Sequence, residues 1–434
     1  MCKRKKNVEE FTAGSGTLAP RPKLPTPIKT PEMPTKSLKI TVKDKSTNLP
    51  VKGQGVILFN RTSTTNAKFA FFSNNRANKL SVEFSESGVQ VSTNKEPLVD
   101  STNTKGLVSD LAATYWFSLD SQNQILLAGI GEARMETVIY SYRFPAALHT
   151  SNKEFLETLS HVVYDCDNTH LSNGFTPLKI LRDPITDSVP LTLKDTATLT
   201  MDDVASGTCM PVANLPATSQ KLYNCIAGPN FCLDSPEFPD FYRAIELSIA
   251  TPGCWCYETL KKKATEFSKD RPNILETYLR ITLGQNNGES PGVPYVMEIW
   301  PAAHYSPVHS HAGAEAVIRV LEGGIHVDLY PYLSKEAAPF VGADFVKGDI
   351  MWISPTLNQT HQLRNISVAT CITIQCYMYD ETDDKHYDYF DYLDEKGVVQ
   401  QYEPDSDMDY VAFKKLMLEE WATRPRGCCP KRRH

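Results

Sequence analysis

His309 and His311 are separated by a single residue, Ser310. On an extended chain, side chains two positions apart project from one face, so both imidazoles can reach one metal ion. A second strand-and-turn signal runs from Gly348 to Pro355, with His361 and then Asn365 beyond it. It supplies a third imidazole from a distant part of the chain. A lone histidine on an apolar face is usually structural, but three placed in this way point to a metal site. Three neutral imidazoles leave a divalent ion its full charge and open positions, which suits an anionic ligand.

The residues around the histidines are apolar and β-rich. Val293 to Trp300 precede them; Ala316 to Leu321, a Gly323-Gly324 turn and Ile325 to Tyr330 follow and read as a β-hairpin. The arrangement His309-x-His311-x3-Glu315, Gly323, then Gly348-x6-Pro355-x5-His361-x3-Asn365 resembles the two motifs of the cupin superfamily, a small double-stranded β-barrel. Trp300-Pro-Ala-Ala-His304-Tyr-Ser-Pro-Val-His309-Ser-His311, with Tyr278-Leu279-Arg280 upstream, is similar more specifically to the thiol dioxygenases of the cysteine dioxygenase family. The resemblance covers about Phe241 to Asp391, roughly a third of the chain.

This resemblance implies Fe(2+) held by His309, His311 and His361, and oxidation of a small thiol to its sulfinate by O2, an oxidoreductase of sulfur amino acid metabolism. In the family, the positions of Arg280 and Tyr278 lie at the substrate site. Arg280 is then a carboxylate clamp, because its planar fork gives paired hydrogen bonds that lysine cannot. Thr373-Ile-Gln375-Cys-Tyr377 matches a family segment whose Ser, His and Tyr face the metal, which makes Tyr377 a catalytic group and puts Gln375 in the histidine's place. Some members join that tyrosine to a cysteine near the first histidine pair. Counted from Gly323, that place is Ala316, so Tyr377 is expected to stay unmodified. Glu315 is ambiguous: counted from His311 it stands where many cupins place a fourth ligand, whereas counted back from Gly323 it points away, and the Gly turn is preferred because it fixes strand register. A fourth-ligand Glu315 would suit another metal-dependent cupin oxygenase or isomerase. A non-catalytic cupin sensor is the remaining alternative.

The elements that must position these residues are mainly β. Residues 1–36, with prolines at 20, 22, 25, 27, 31 and 34, read as a disordered leader. Residues 37–145 carry short alternating runs separated by Asn, Ser, Asp and Gly, the pattern of an antiparallel β-sandwich whose ligand is unknown. Residues 146–235 read as a connector with a helix over Lys153 to Tyr164. The cupin barrel (jelly roll) with its preceding helices is assigned to 236–425, and 426–434 form a basic tail. Phe241, Ile245 and Ile249 recur at helical spacing; Cys256, Leu260, Ala264 and Phe267 mark a second helix, and Asp409 to Trp421 a last amphipathic one.

Composition excludes several classes of function. Net charge is −6 with 22% charged residues, and no stretch approaches the roughly 18 apolar residues of a spanning helix. No secretory leader follows the basic Met1 to Lys6, so a cytoplasmic monomer without a membrane or nucleic-acid partner is expected. The eleven cysteines are odd in number and form neither a disulfide framework nor paired zinc units, and Cys254-Trp255-Cys256 fits a junction between helices. Without secretion, the sequons at Asn60, Asn358 and Asn365 meet no glycosylation machinery. The acidic, tyrosine-laced stretch from Asp380 to Asp409 lacks EF-hand order and reads as a solvated flank.

Overall fold

Apolar residues alternate with polar ones along the N-terminal runs, and the runs become strands. Lys79–Ser85 is the plainest case, with Leu80, Val82 and Phe84 buried and the residues between them half-exposed. The computed structural model describes residues 37–38, 46–61, 66–94, 96–98, 105–145, 149–164, 179–186, 189–284, 294–311, 313–355, 357, 360–379 and 389–424. The Pro-rich leader, the basic tail, Cys2, Cys166, Cys428, Cys429, Asn358 and residues 380–388 of the acidic stretch lie outside the described residues.

Two six-stranded sheets face each other in the N-terminal part. One runs Ser37–Leu38, Lys179–Leu181, Gln54–Asn60, Thr114–Asp120, Ile125–Ile130, Val138–Arg143; the other runs Ser46–Asn48, Leu159–Tyr164, Ala67–Ser73, Lys79–Ser85, Gly88–Thr93, Glu96–Leu98. Their inner faces interlock through Phe59, Phe69, Phe84, Tyr115 and Phe117, with Phe59 and Phe84 edge to face at 5.2 Å. Two of these strands come from the segment read as a connector. The helix expected over Lys153 to Tyr164 is instead a helix at His149–Glu157 followed by the strand Leu159–Tyr164. The β-branched Val162-Val163 and the open edge of Ala67–Ser73 favour pairing over continued helix there.

Two further six-stranded sheets form the C-terminal barrel. The first runs Ile350–Ile353, Glu315–Glu322, Cys371–Met378, Tyr295–Trp300, Leu279–Leu283, Met408–Asp409; the second runs Val341–Val346, Gly324–Leu329, Thr360–Arg364, His309–Ser310, Phe390–Leu393, Val399–Tyr402. Successive strands pass back and forth between the sheets, the interleaving of a double-stranded β-barrel. The expected hairpin about Gly323-Gly324 does not form: Glu315–Glu322 belongs to one sheet and Gly324–Leu329 to the other. Gly323 turns the corner with φ +72°, and a Cβ there would come within 2.6 Å of the Thr370 carbonyl. The positive φ and the close backbone approach require glycine at that corner.

The outer face of the first barrel sheet is covered by helices Ala217–Ile226, Phe241–Ala250, Trp255–Lys263 and Tyr410–Thr423, which share one apolar core with it. Cys254 stands at the N-terminal boundary of Trp255–Lys263 at the helix junction without a side-chain capping bond, and Asp409 caps the last helix by accepting from Ala412 N at 3.0 Å. Sandwich and barrel belong to one compact unit, residues 35–434. Tyr332 of the barrel donates to Asp183 at 2.6 Å, and Trp352 donates to the Pro190 carbonyl at 3.3 Å. Among the described residues no helix is long and apolar enough to cross a membrane.

Asn365 ties the barrel corner nearest the histidines. Its buried amide donates to the carbonyls of Trp300 and Ala369, each at 2.8 Å, and accepts from Ser367 N at 2.9 Å. Asn365→Ala orphans several of these buried groups, and a loss of roughly 2–4 kcal/mol in urea unfolding is expected. A change below about 0.5 kcal/mol would remove Asn365 from the groups that hold this corner.

Candidate metal centre

Register brings the histidines together. His309 lies directly across from His361 in the antiparallel pair His309–Ser310 and Thr360–Arg364, and His311 follows two residues on. The Nε2 atom of His311 stands 3.1 Å from Nε2 of His309 and 3.1 Å from Nε2 of His361. All three ligand atoms lie within 4.8 Å of one another, and among the described residues no other such group of three converges. His309 Nδ1 donates to the Pro307 carbonyl at 3.0 Å, which fixes the tautomer and leaves Nε2 a lone pair aimed at its neighbours.

Burial drives the electrostatics. Desolvation first, and then the neighbouring His361, lower His309 to about 3 and hold His311 well below the ordinary histidine range. These imidazoles are neutral ligands at pH 7. Neutral rings that turn lone pairs toward one another in a dry space repel unless a proton or a cation lies between them. Bonds of about 2.1 Å at a right angle place two nitrogens roughly 3.0 Å apart, close to the observed spacing. The donor set therefore fits a divalent metal ion.

Below the histidines a chain of polar groups crosses the barrel interior. Arg280 and Glu298 are register partners on Leu279–Leu283 and Tyr295–Trp300, and Arg280 Nη1 lies 2.6 Å from Glu298 Oε1. Both are nearly fully buried, at 5% and 3% exposure, which an ion pair tolerates only when its partners are in place. Burial pushes Glu298 up, while Arg280 and Gln375 pull it back; burial by itself would lower Arg280, but Glu298 together with Tyr278, Tyr377 and Tyr402 raises it overall. Gln375 donates from Nε2 to Glu298 and accepts at Oε1 from the Tyr377 hydroxyl. Burial, and then the charge of Glu298, raise Tyr377 well above the ordinary range, so it is a neutral phenol. Tyr278 stacks on Trp300 with centroids 4.2 Å apart, and Phe390 closes the other side, 4.5 Å from the His311 ring. The space left is about 10 Å³, enough for about one water molecule.

The sequence-predicted residues divide clearly. His309, His311, His361, Arg280, Tyr278 and Tyr377 all line this cavity. Glu315 does not: its carboxylate accepts from Ser219 Oγ at 2.5 Å on the helix side of the sheet, while its neighbour Ala316 lies across from Tyr377 inside. Cys376 likewise turns outward, its Sγ 3.4 Å from the Leu222 carbonyl. His304 Nδ1 is 2.8 Å from the Thr277 carbonyl, and His326 bridges Asp344 and Asp328 on the second sheet. Neither approaches the cluster.

No family model and no curated protein matches the chain. Among solved structures, it is similar over 24% of its length to the Cupin_2 domain of an XRE family transcriptional regulator from Enterobacter cloacae, covering 98% of it at 13% identity and a TM-score of 0.20. It is similar over 23% to an oxalate oxidase bound to the substrate analogue glycolate, of which it spans about half (49%), at 15% identity and a TM-score of 0.20. A sugar phosphate isomerase of the cupin superfamily from Silicibacter pomeroyi is covered over 75% at 14% identity and a TM-score of 0.18. The fold rests on the interleaved order of the barrel strands themselves.

The barrel has the cupin fold. Sequence reasoning missed two residues that shape the site. Glu298 was visible as the one charge in the apolar run Val296-Met297-Glu298-Ile299-Trp300, a position that a buried strand gives to a carboxylate only with a partner. Phe390 had no such signal, because it follows a polar stretch without periodicity.

Replacing His309, His311 or His361 by Ala is expected to cut bound divalent metal at least tenfold by elemental analysis, while His304→Ala keeps most of it. Full metal content in the His361 variant would sink the assignment.

Proposed function

We propose that the cupin barrel holds Fe(2+) on His309, His311 and His361 and oxidises a small thiol to its sulfinate with O2. The observation that carries this reading is a carboxylate-free set of three imidazoles facing a small buried cavity whose lining also holds a phenol and an arginine. In the balanced reaction RSH + O2 gives RSO2H, so the thiol loses four electrons and both oxygen atoms end on sulfur. Bound there, the iron supplies the Lewis acidity that turns the thiol into a thiolate and a site where O2 is reduced.

The protein's own groups do the rest. Neutral ligands leave the ion's charge to favour the anionic sulfur. Trp300, Ile318, Leu363 and Phe390 keep water out, which strengthens every polar contact inside. Tyr377 keeps its proton, and its phenol is oriented by Gln375. With Glu315 held by Ser219, the support favours a three-histidine site over one with a carboxylate ligand.

The iron-loaded full-length protein is tested with an oxygen electrode and mass spectrometry over cysteine, cysteamine and 3-mercaptopropionate. One O2 consumed per sulfinate formed is expected; metal-replete protein that consumes no O2 with any of them overturns the reading. Tyr377→Phe is expected to lower kcat by roughly 10²-fold at unchanged metal content. Peptide mapping after turnover is expected to show no two-hydrogen loss linking Tyr377 to a cysteine, since Ala316 lies opposite it and Cys376 faces away. A native link would mean that the strand register about Tyr377 is different.

A further inference from the structure

The end of the cavity away from the histidines is a charge pair with a sum of zero. One arm of the Arg280 fork is held by Glu298, and Gln375 holds the other Glu298 oxygen. A free arginine in this place would draw a carboxylate into a paired contact. Here the carboxylate of the protein already stands in it.

Geometry alone still admits an acceptor, because Arg280 Nε is buried without a partner and Arg280 lines the cavity. Charge decides what kind. A second carboxylate at Nε would stand within one guanidinium's width of Glu298 in a dry space, so two negative charges would share one positive one. Displacing Glu298 instead would strand a buried anion. A neutral oxygen on Nε carries neither cost. An ammonium or amide donor meets a favourable partner, since each Glu298 oxygen accepts one of these bonds and has a second lone pair.

We propose that Glu298 is a specificity-determining residue: by cancelling the charge of Arg280 it selects a ligand whose end away from the sulfur is an ammonium or a neutral group rather than a carboxylate. This rests on the thiol reading of the barrel, and it concerns the far end of the same cavity. Glu298→Gln keeps the shape, removes the negative charge and leaves Arg280 unbalanced, so the preference should invert.

The test uses full-length protein loaded with Co(2+) and titrated anaerobically with cysteamine and with 3-mercaptopropionate, reading the sulfur-to-cobalt charge-transfer band. Wild type is expected to bind cysteamine at least tenfold more tightly, and Glu298→Gln to shift the ratio at least tenfold toward 3-mercaptopropionate. Tighter wild-type binding of 3-mercaptopropionate overturns the proposal whether or not the variant folds. So does a folded, cobalt-loaded variant with an unchanged ratio. Cobalt-loaded wild type that gives no band with either thiol overturns the thiol reading itself, and this inference with it.

Discussion

A single cross-strand register underlies the site. His309 faces His361 because the short strand His309–Ser310 lies between Thr360–Arg364 and Phe390–Leu393. A slip of one residue would turn every side chain on that strand to the other face. So short a strand cannot define its own register, and backbone contacts of the residues just before it help set it: Ser306 N donates to the Leu363 carbonyl at 2.9 Å, and Leu393 N donates to the Val308 carbonyl at 2.9 Å. Asn365 and the Gly323 corner then hold the neighbouring turns where those bonds can form. The metal-binding geometry is thus a property of the barrel's closure rather than of the His-Ser-His tripeptide alone.

Closure also makes the interior dry, and dryness decides which polar groups can be present there. His309 and His311 are neutral because burial lowers their proton affinity, which suits them to bind a cation. The same burial would make Arg280 or Glu298 alone very costly, and the two occur as a pair. Each polar group in the barrel centre therefore depends on another. The cavity is small because these partners, with Trp300 and Phe390, fill it.

Much of this was legible in the sequence where the signal was local. The histidine spacing, the Gly323 turn, the helix beginning at Phe241 and the outward-facing Glu315 follow from period and register, and the structure places these residues accordingly. What was not legible depends on pairing between distant segments. The residues about Gly323 read as a hairpin because sequence shows two strands and a turn, but not which strands they pair with. Leu159–Tyr164 read as helix because the open edge it completes lies far away in the chain. Glu298 passed unnoticed inside an apolar strand for the same reason, since its meaning comes from Arg280 and Gln375 on the strands either side.

Gln375 shows how such a chain of partners fixes what a single residue can do. A primary amide has a donating and an accepting end, and Glu298, holding a negative charge, can only accept from Gln375 Nε2. Oε1 is then left facing Tyr377, so the phenol must donate to it. The proton on Tyr377 is thereby directed by a charge two residues removed along the chain of bonds, and burial keeps that proton on the oxygen. A histidine in this place could donate or accept at either nitrogen, and its orientation would depend on its own protonation. The glutamine has no such freedom. Its orientation is set by the ion pair, and that ties the phenol beside His311 to the charge balance at the opposite end of the cavity.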